Sequence, residues 1–186
     1  MAGDTRERIM ESARLTVQDL GYGGLSFREL AKDVGIKSAS IHYYFPTKGD
    51  LGEAILGRYI DRYAAFLEGL LEAGTEPGAL MRHYTDMFRA TLLNGNRLCL
   101  AGMLSAERNE LPAEICAEIL RWGEMNESWI ARVLALQGTG DPADFRPRAA
   151  AVFAAVSGAQ MIAHGRHDVA LYDDVVAAYR ASGLIP

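Results

Sequence analysis

Side chains that could bind a polyanion are concentrated in one short stretch near the start of the chain. This stretch begins at Lys37 and ends at Lys48. Between these two lysines lie hydroxyl, imidazole and phenol groups, those of Ser38, Ser40, His42 and Tyr43. Hydroxyls and helix N-terminal amides can bind phosphate oxygens, and side chains that protrude from a helix can reach base edges in the major groove of DNA. These residue types therefore predict a surface that binds double-stranded DNA.

A helix-turn-helix would position these side chains. Ala31 is small where two short helices must approach closely, and Gly35, four residues later, can adopt the positive φ of a tight turn. The apolar residues that would hold the two helices together are Leu30, Val34, Ile36 and Ile41. We predict the second helix over about 38–45, and we interpret Ser26-Phe-Arg-Glu29 as a capping box that opens the first.

The charge of the chain is compatible with such a surface only if the surface is local. The 186 residues are 49% hydrophobic and 23% charged, with a net charge of −5, which is an ordinary globular composition. Within residues 26–48, however, four basic side chains stand against two acidic ones, a local net charge of +2. Any phosphate-binding surface should therefore lie near the N-terminus.

Nearly every segment between the prolines has helical periodicity, and no convincing strand pattern is present. We expect Asp4 to cap a first helix and Thr47-Lys-Gly-Asp50 to cap a long helix over about 47–73. Further helices are predicted near 78–94, 98–107, 112–136, 146–165 and 168–182. The longest uncharged stretch, 149–165, is shorter than the roughly 20 residues of a membrane span. The sequence thus predicts an all-α protein of about nine helices that has no membrane partner.

The segment LSFRELAKDVGIKSASIHYYFPTKGDL, residues 25–51, resembles the DNA-binding region of TetR/AcrR-like transcriptional regulators. The resemblance covers about residues 5–60 and includes Gly21-Tyr22 and the Tyr-Phe-Pro-x-Lys signature at 44–48. It implies a homodimer whose three-helix domains occupy successive major grooves of a near-palindromic operator. It also implies a DNA-binding domain at 1–48 and an effector-binding and dimerisation domain at 49–186, with the long helix 47–73 as connector.

By position, the resemblance assigns DNA contacts to nine residues: Ser26, Arg28, Lys37, Ser38, Ser40, His42, Tyr43, Tyr44 and Lys48. Tyr44 could instead fill the core of the small domain, as we expect of Phe45. Many members of the family have an aromatic residue, usually Tyr, where this chain has His42. Because the charge of histidine changes near neutral pH, the operator sequence cannot be carried over from those members.

The remaining helices are expected to bind a small molecule and to pair two subunits. Alanine-rich helices near 146–165 and 168–182 would form a four-helix interface, although they could also pack only within one subunit. Apolar, aromatic and sulfur-containing side chains of helices 5 to 8 favour a hydrophobic or aromatic effector. The predicted ligand-binding residues are Tyr84, Phe88, Met103, Trp122, Met125, Trp129 and Phe153, each of which could instead belong to the core.

Cysteines and histidines offer little further chemistry. With only Cys99 and Cys116, a disulfide scaffold is excluded and a reducing cytoplasm is favoured. Cys99 could be a redox or electrophile sensor if it were exposed beside a cation such as Arg97, and would be inert if buried. His164 and His167 lack a further ligand cluster, so no metal is expected.

No glycine-rich phosphate loop, Gly-x-Ser-x-Gly elbow or His-Glu-x-x-His motif is present, so we expect neither an enzyme nor a cofactor. The resemblance, together with the apolar side chains of helices 5 to 8, implies a cytoplasmic repressor that a small hydrophobic or aromatic effector releases from a palindromic operator. Two alternatives remain open: a thiol-sensing repressor that acts through Cys99, and a helical adaptor that does not bind DNA.

Overall fold

The computed structural model describes residues 2–138 and 140–186, and in them all regular secondary structure is helical. Nine α-helices follow one another in this part of the chain: α1 (Ala2–Leu20), α2 (Phe27–Val34), α3 (Ser38–Tyr44), α4 (Lys48–Glu72), α5 (Pro77–Leu93), α6 (Leu100–Ala106), α7 (Ala113–Ala135), α8 (Arg146–Arg166) and α9 (Val169–Ala181). Short 3₁₀ turns occur at Arg108–Glu110 and Pro142–Phe145. The predicted all-α fold class is confirmed.

The first of two compact units contains the chain up to Arg62 together with Cys99–Trp122. Its core is apolar, since α1 contributes Ile9, Ala13 and Val17 and the start of α4 contributes Leu51 and Ile55, all of them buried. Helix α1 packs against both α2 and α6. This unit therefore holds the predicted helix-turn-helix.

The second unit contains Tyr63–Leu98 and Gly123–Pro186. In it, α8 packs against both α5 and α9. Large side chains such as Tyr84, Trp129 and Tyr172 are almost fully buried. Among the described residues, no helix combines the length and the apolarity that crossing a membrane would require.

Of the three helix caps predicted from the sequence, one forms in the structure and two do not. The Thr47 amide donates to Asp50 Oδ2 (2.8 Å) and the Asp50 amide donates to Thr47 Oγ1 (3.0 Å), so this capping box forms. The box predicted at Ser26 is wrong, because Ser26 makes no side-chain cap and Glu29 binds Arg28 and Lys32 instead. The N-cap predicted at Asp4 is also wrong, because α1 already begins at Ala2.

Candidate nucleic-acid interface

The turn between α2 and α3 positions the candidate interface. Gly35 ends α2 with φ 72° and ψ 38°, a left-handed conformation that glycine adopts without steric cost. The next amide, that of Ile36, donates to the Ala31 carbonyl at 2.9 Å. The guanidinium of Arg8 in α1 donates to the Val34 carbonyl and so satisfies a free group at the end of α2.

Three of the four apolar residues predicted to hold α2 against α3, namely Leu30, Val34 and Ile41, are buried, whereas the fourth, Ile36, is half-buried. Ala31, the small residue predicted at the close approach, is buried as well. Burial of Ile41 on one face of α3 leaves the opposite face of this short helix to solvent.

The outer face of α3 carries the predicted DNA-contacting groups. Tyr43 is 82% exposed, His42 and Lys37 are also exposed, and Ser38 and Ser40 are half-buried. A side chain this exposed buries little area in a lone subunit, so its ring and hydroxyl are accessible to a partner.

The two aromatic residues of the Tyr-Phe-Pro-x-Lys signature are less exposed than Tyr43. Tyr44 is half-buried and meets the Tyr43 ring edge-on, with centroids 5.1 Å apart. Phe45 is 2% exposed and lies beneath the guanidinium of Arg6, 5.1 Å from the ring centroid. Phe45 is therefore a core residue, as expected, and Tyr44 lies at the edge of the core.

The charged residues of α2 pair with one another at the surface. Arg28 Nε lies 3.2 Å and Lys32 Nζ lies 2.9 Å from the carboxylate of Glu29. The hydrogen bond from Lys32, assisted by Arg28, lowers the pKa of Glu29. Exposed pairs of this kind are weak, so Arg28 can exchange Glu29 for a phosphate at small cost.

Lys48 is held by a contact that the sequence analysis did not predict. Its ammonium lies 4.3 Å from the centroid of the Tyr22 ring. Burial lowers the pKa of Lys48, and the nearby Glu107 carboxylate acts in the opposite direction. Glu107 also accepts a hydrogen bond from the Tyr22 amide at 2.7 Å. No sequence signal could have indicated Glu107, because 85 residues separate the partners.

Three of the seven predicted ligand-binding residues form one aromatic cluster in the second unit. The Tyr84 ring stacks on Trp129 (5.6 Å) and packs beside Phe88 (5.3 Å). The Tyr84 hydroxyl donates to Asn126 Oδ1 at 2.8 Å, and the Trp129 indole donates to the Leu67 carbonyl at 3.0 Å. These are contacts of a satisfied core, and Asn126 is a buried polar residue that the sequence analysis did not identify.

The other four predicted ligand-binding residues are distributed over both units. Met125 and Phe153 are half-buried in the second unit. Met103 is half-buried in the first unit, where Trp122 packs on Tyr59 with ring centroids 5.6 Å apart. The role of all seven in effector binding stays a prediction.

Two clefts of the described residues lie elsewhere. One, of about 660 Å³, is formed where α4 ends, α5 begins and α7 ends, and Leu71, Pro77 and Leu136 are part of its lining. The other, of about 590 Å³, has a lining of mixed charge that includes Arg6, Glu53 and Asp61. None of the seven predicted ligand-binding residues lines either cleft.

Cys99 is a buried N-cap residue rather than an exposed thiol. Its Sγ accepts a hydrogen bond from the Gly102 amide at 3.2 Å, and burial raises the pKa of the thiol to about 11. The guanidinium of Arg97, the cation considered for activating it, donates to the carbonyl and the side-chain oxygen of Asn94. This environment favours the protonated, unreactive thiol.

The histidines near residue 165 join a loop to the end of α8. His164 Nδ1 lies 2.6 Å from the Asn96 carbonyl, and the Asn96 amide lies 2.8 Å from His167 Nδ1. No group of three or more residues that could hold a metal ion occurs within residues 2–138 and 140–186.

The segment that contains the candidate interface is similar to known regulatory proteins. The family model for bacterial regulatory proteins of the tetR family matches residues 9–55. The probable HTH-type transcriptional regulator YttP of Bacillus subtilis is 37% identical over 68 residues, 37% of this chain and 33% of YttP. The HTH-type transcriptional repressor NemR of Escherichia coli is 29% identical over 114 residues, 61% of this chain and 55% of NemR. The matched part thus spans between a third and about half of the length of these relatives.

The fold as a whole is similar to that of solved structures. The crystal structure of a TetR transcriptional regulator from Legionella pneumophila superposes with a TM-score of 0.88 and is 27% identical in sequence. The match covers 97% of this chain and 96% of that one. The similarity therefore extends over both compact units and not only over the helix-turn-helix.

Proposed function

We propose that this chain is a homodimeric, DNA-binding transcriptional regulator of the TetR family, in line with the family model that matches residues 9–55. One observation carries the proposal. Helix α3 buries Ile41 against α2 and exposes His42 and Tyr43, with Lys37 at its N-terminus. A short helix with hydrogen-bonding and aromatic groups on its outer face, held by a rigid turn, can enter the major groove of DNA.

The regulator is proposed to be a repressor that a small hydrophobic or aromatic effector releases from a palindromic operator. Predicted ligand-binding residues that are only half-buried, Met125 of α7 and Phe153 of α8, support this effector class. Effector binding would favour a dimer whose recognition helices no longer match major grooves about 34–36 Å apart. Helix α4 has residues in both units and is the proposed connector. By reciprocity, operator DNA must weaken effector binding by the same factor.

Salt-dependent DNA binding distinguishes this function from that of an adaptor. Duplexes selected from a random pool by the full chain should bind with an affinity that falls steeply as salt rises. Lys37→Ala and Lys48→Ala should each weaken the binding of all duplexes by a similar factor. Each substitution should also lower the slope of log affinity against log salt concentration by roughly 2 per dimer, which is about one phosphate contact for each subunit. Fluorescence anisotropy over a salt series measures both quantities.

Lys32→Ala is the matched control, because Lys32 is an exposed charge of α2 to which no DNA contact is assigned, so its loss is expected to leave the slope unchanged. Circular dichroism should show that each variant remains folded, which matters for Lys48 because of its contact with Tyr22. A folded dimer that binds no duplex at low salt would show that the protein is an adaptor and not a DNA-binding regulator.

A further inference from the structure

Among the described residues, the imidazole of His42 has a hydrogen-bond partner at Nδ1 and an aromatic neighbour. Nδ1 lies 3.3 Å from the carbonyl oxygen of Pro46. The ring of Phe27, in α2, meets the imidazole edge-to-face, with ring centroids 4.8 Å apart. Nε2, on the opposite side of the ring, has no hydrogen-bond partner among the residues that the structure describes. The side chain is exposed, so Nε2 is accessible to a bound molecule.

A carbonyl oxygen can only accept a hydrogen bond, so Nδ1 must carry the proton of the neutral ring. We infer that the Pro46 carbonyl holds His42 in its Nδ1–H tautomer, so that Nε2 reads a DNA base as an acceptor when the ring is neutral and as a donor when it is protonated. The inference rests on the proposed DNA-binding function and assigns to His42 the choice of base at one operator position.

Charged side chains of α2 and of the segment after Pro46 have partners other than His42. On α2, Arg28 and Lys32 both pair with Glu29. Beyond Pro46, Lys48 lies over the ring of Tyr22. The titratable neighbours on α3 itself are the phenols of Tyr43 and Tyr44, which contact each other. Within residues 2–138 and 140–186 no carboxylate forms an ion pair with His42.

The two states of Nε2 prefer opposite bases. In the major groove, adenine and cytosine present amino groups, which donate, at the place where guanine and thymine present carbonyl oxygens, which accept. Neutral His42 should therefore select adenine or cytosine. Protonated His42 loses that contact and can donate to guanine O6 or thymine O4; purine N7 accepts from it in adenine and guanine alike, so O6 and O4 provide the discrimination. Since imidazole changes charge near neutral pH, the preferred base should change between mildly alkaline and mildly acidic solution.

The tautomer can be measured on the full chain without DNA. Long-range ¹H–¹⁵N spectra at pH 8 should show a protonated Nδ1 and an unprotonated Nε2 for His42, whose signals are identified by their loss in His42→Asn. His83 is the internal control, because its ring also meets a phenylalanine edge-on, Phe66 at 6.5 Å, but is not hydrogen-bonded to a carbonyl in the described structure. A proton on Nε2 of neutral His42 would overturn the inference.

Base preference is measured as the ratio of the affinities for two selected duplexes. One duplex has adenine and the other has guanine at the operator position that His42 contacts. The adenine duplex should bind about three- to tenfold more tightly at pH 8.5, the worth of one hydrogen bond, and the order should reverse at pH 5.5. In His42→Gln the ratio should not depend on pH, because an amide donates and accepts at every pH.

A pH-independent ratio in the native protein, or an unchanged pH dependence in His42→Gln, would overturn the inference while the DNA-binding function stands. Failure to bind any duplex at either pH would overturn the proposed function itself, and the base-reading role of His42 with it.

Discussion

At the scale of single residues, burial determines the reactivity of Cys99. Its thiol has a pKa of about 11, so only about 10⁻⁴ of it is thiolate at pH 7. We expect iodoacetamide to alkylate Cys99 far more slowly than the half-buried Cys116 at pH 7.5. Because the pKa is raised, the rate at Cys99 should rise about tenfold per pH unit until the pH approaches 11. Mass spectrometry of timed samples measures both sites.

The variants Cys99→Ser and Cys116→Ser assign each alkylation to its site. Should Cys99 react faster than Cys116 at neutral pH, or should Cys99→Ser abolish release of DNA by electrophiles, a thiol-sensing repressor would become the better interpretation.

At the scale of elements, the junction of α1, α2 and α4 depends on Glu107 of the segment after α6. Gly21 has φ 75°, and a Cβ there would overlap the Glu107 carboxylate. Gly21→Ala should therefore cost about 1–2 kcal/mol for the left-handed backbone and roughly 1–2 kcal/mol more for displacing the carboxylate from the Tyr22 amide. Urea unfolding at a fixed protein concentration measures the total.

Gly35→Ala is the matched control, because Gly35 has φ 72° with open space around it and should show only the backbone cost. When Glu107→Ala is present, the additional cost of Gly21→Ala should fall to that of Gly35→Ala. Equal costs for the two glycines in the native background would mean that the Glu107 contact contributes nothing to stability.

At the scale of the whole molecule, one face of α8 is apolar and uncovered. Its inner residues, such as Val152 and Val156, are buried, whereas Met161 and Ile162 are 55% and 51% exposed. If this face pairs two subunits, a charge at Ile162 would be buried without a partner. We expect Ile162→Glu to raise the dimer dissociation constant about a hundredfold or more, a cost of roughly 3 kcal/mol, as sedimentation equilibrium would show.

Leu93→Glu is the control, because Leu93 is also exposed, at 62%, but lies on α5. An unchanged dimer in Ile162→Glu, or equal weakening in Leu93→Glu, would place the subunit interface elsewhere. Loss of the dimer should also reduce the affinity for a palindromic duplex to that for a half-site.

Local rules allowed much of the interface to be predicted from the sequence. Helical periodicity located the helices, Gly35 marked the left-handed turn, and Ile41 and Phe45 were correctly expected to be buried. Each of these inferences depends on residues within a few turns of one another, whose backbone geometry constrains them directly. Even so, local patterns can compete, since Glu29 binds Arg28 and Lys32 rather than closing a capping box with Ser26.

The remaining features depend on tertiary packing. The contact of Glu107 with the Tyr22 amide joins residues 85 positions apart, and the stack of Tyr84 on Trp129 joins α5 to α7. Neither contact follows from a periodic pattern in the sequence, because packing brings together side chains whose separation along the chain is arbitrary. The sequence by itself thus determined the helices and the outer face of α3. Only the tertiary structure decided that Cys99 is buried and that the Pro46 carbonyl faces Nδ1 of His42, because burial and hydrogen-bond partners depend on distances in space.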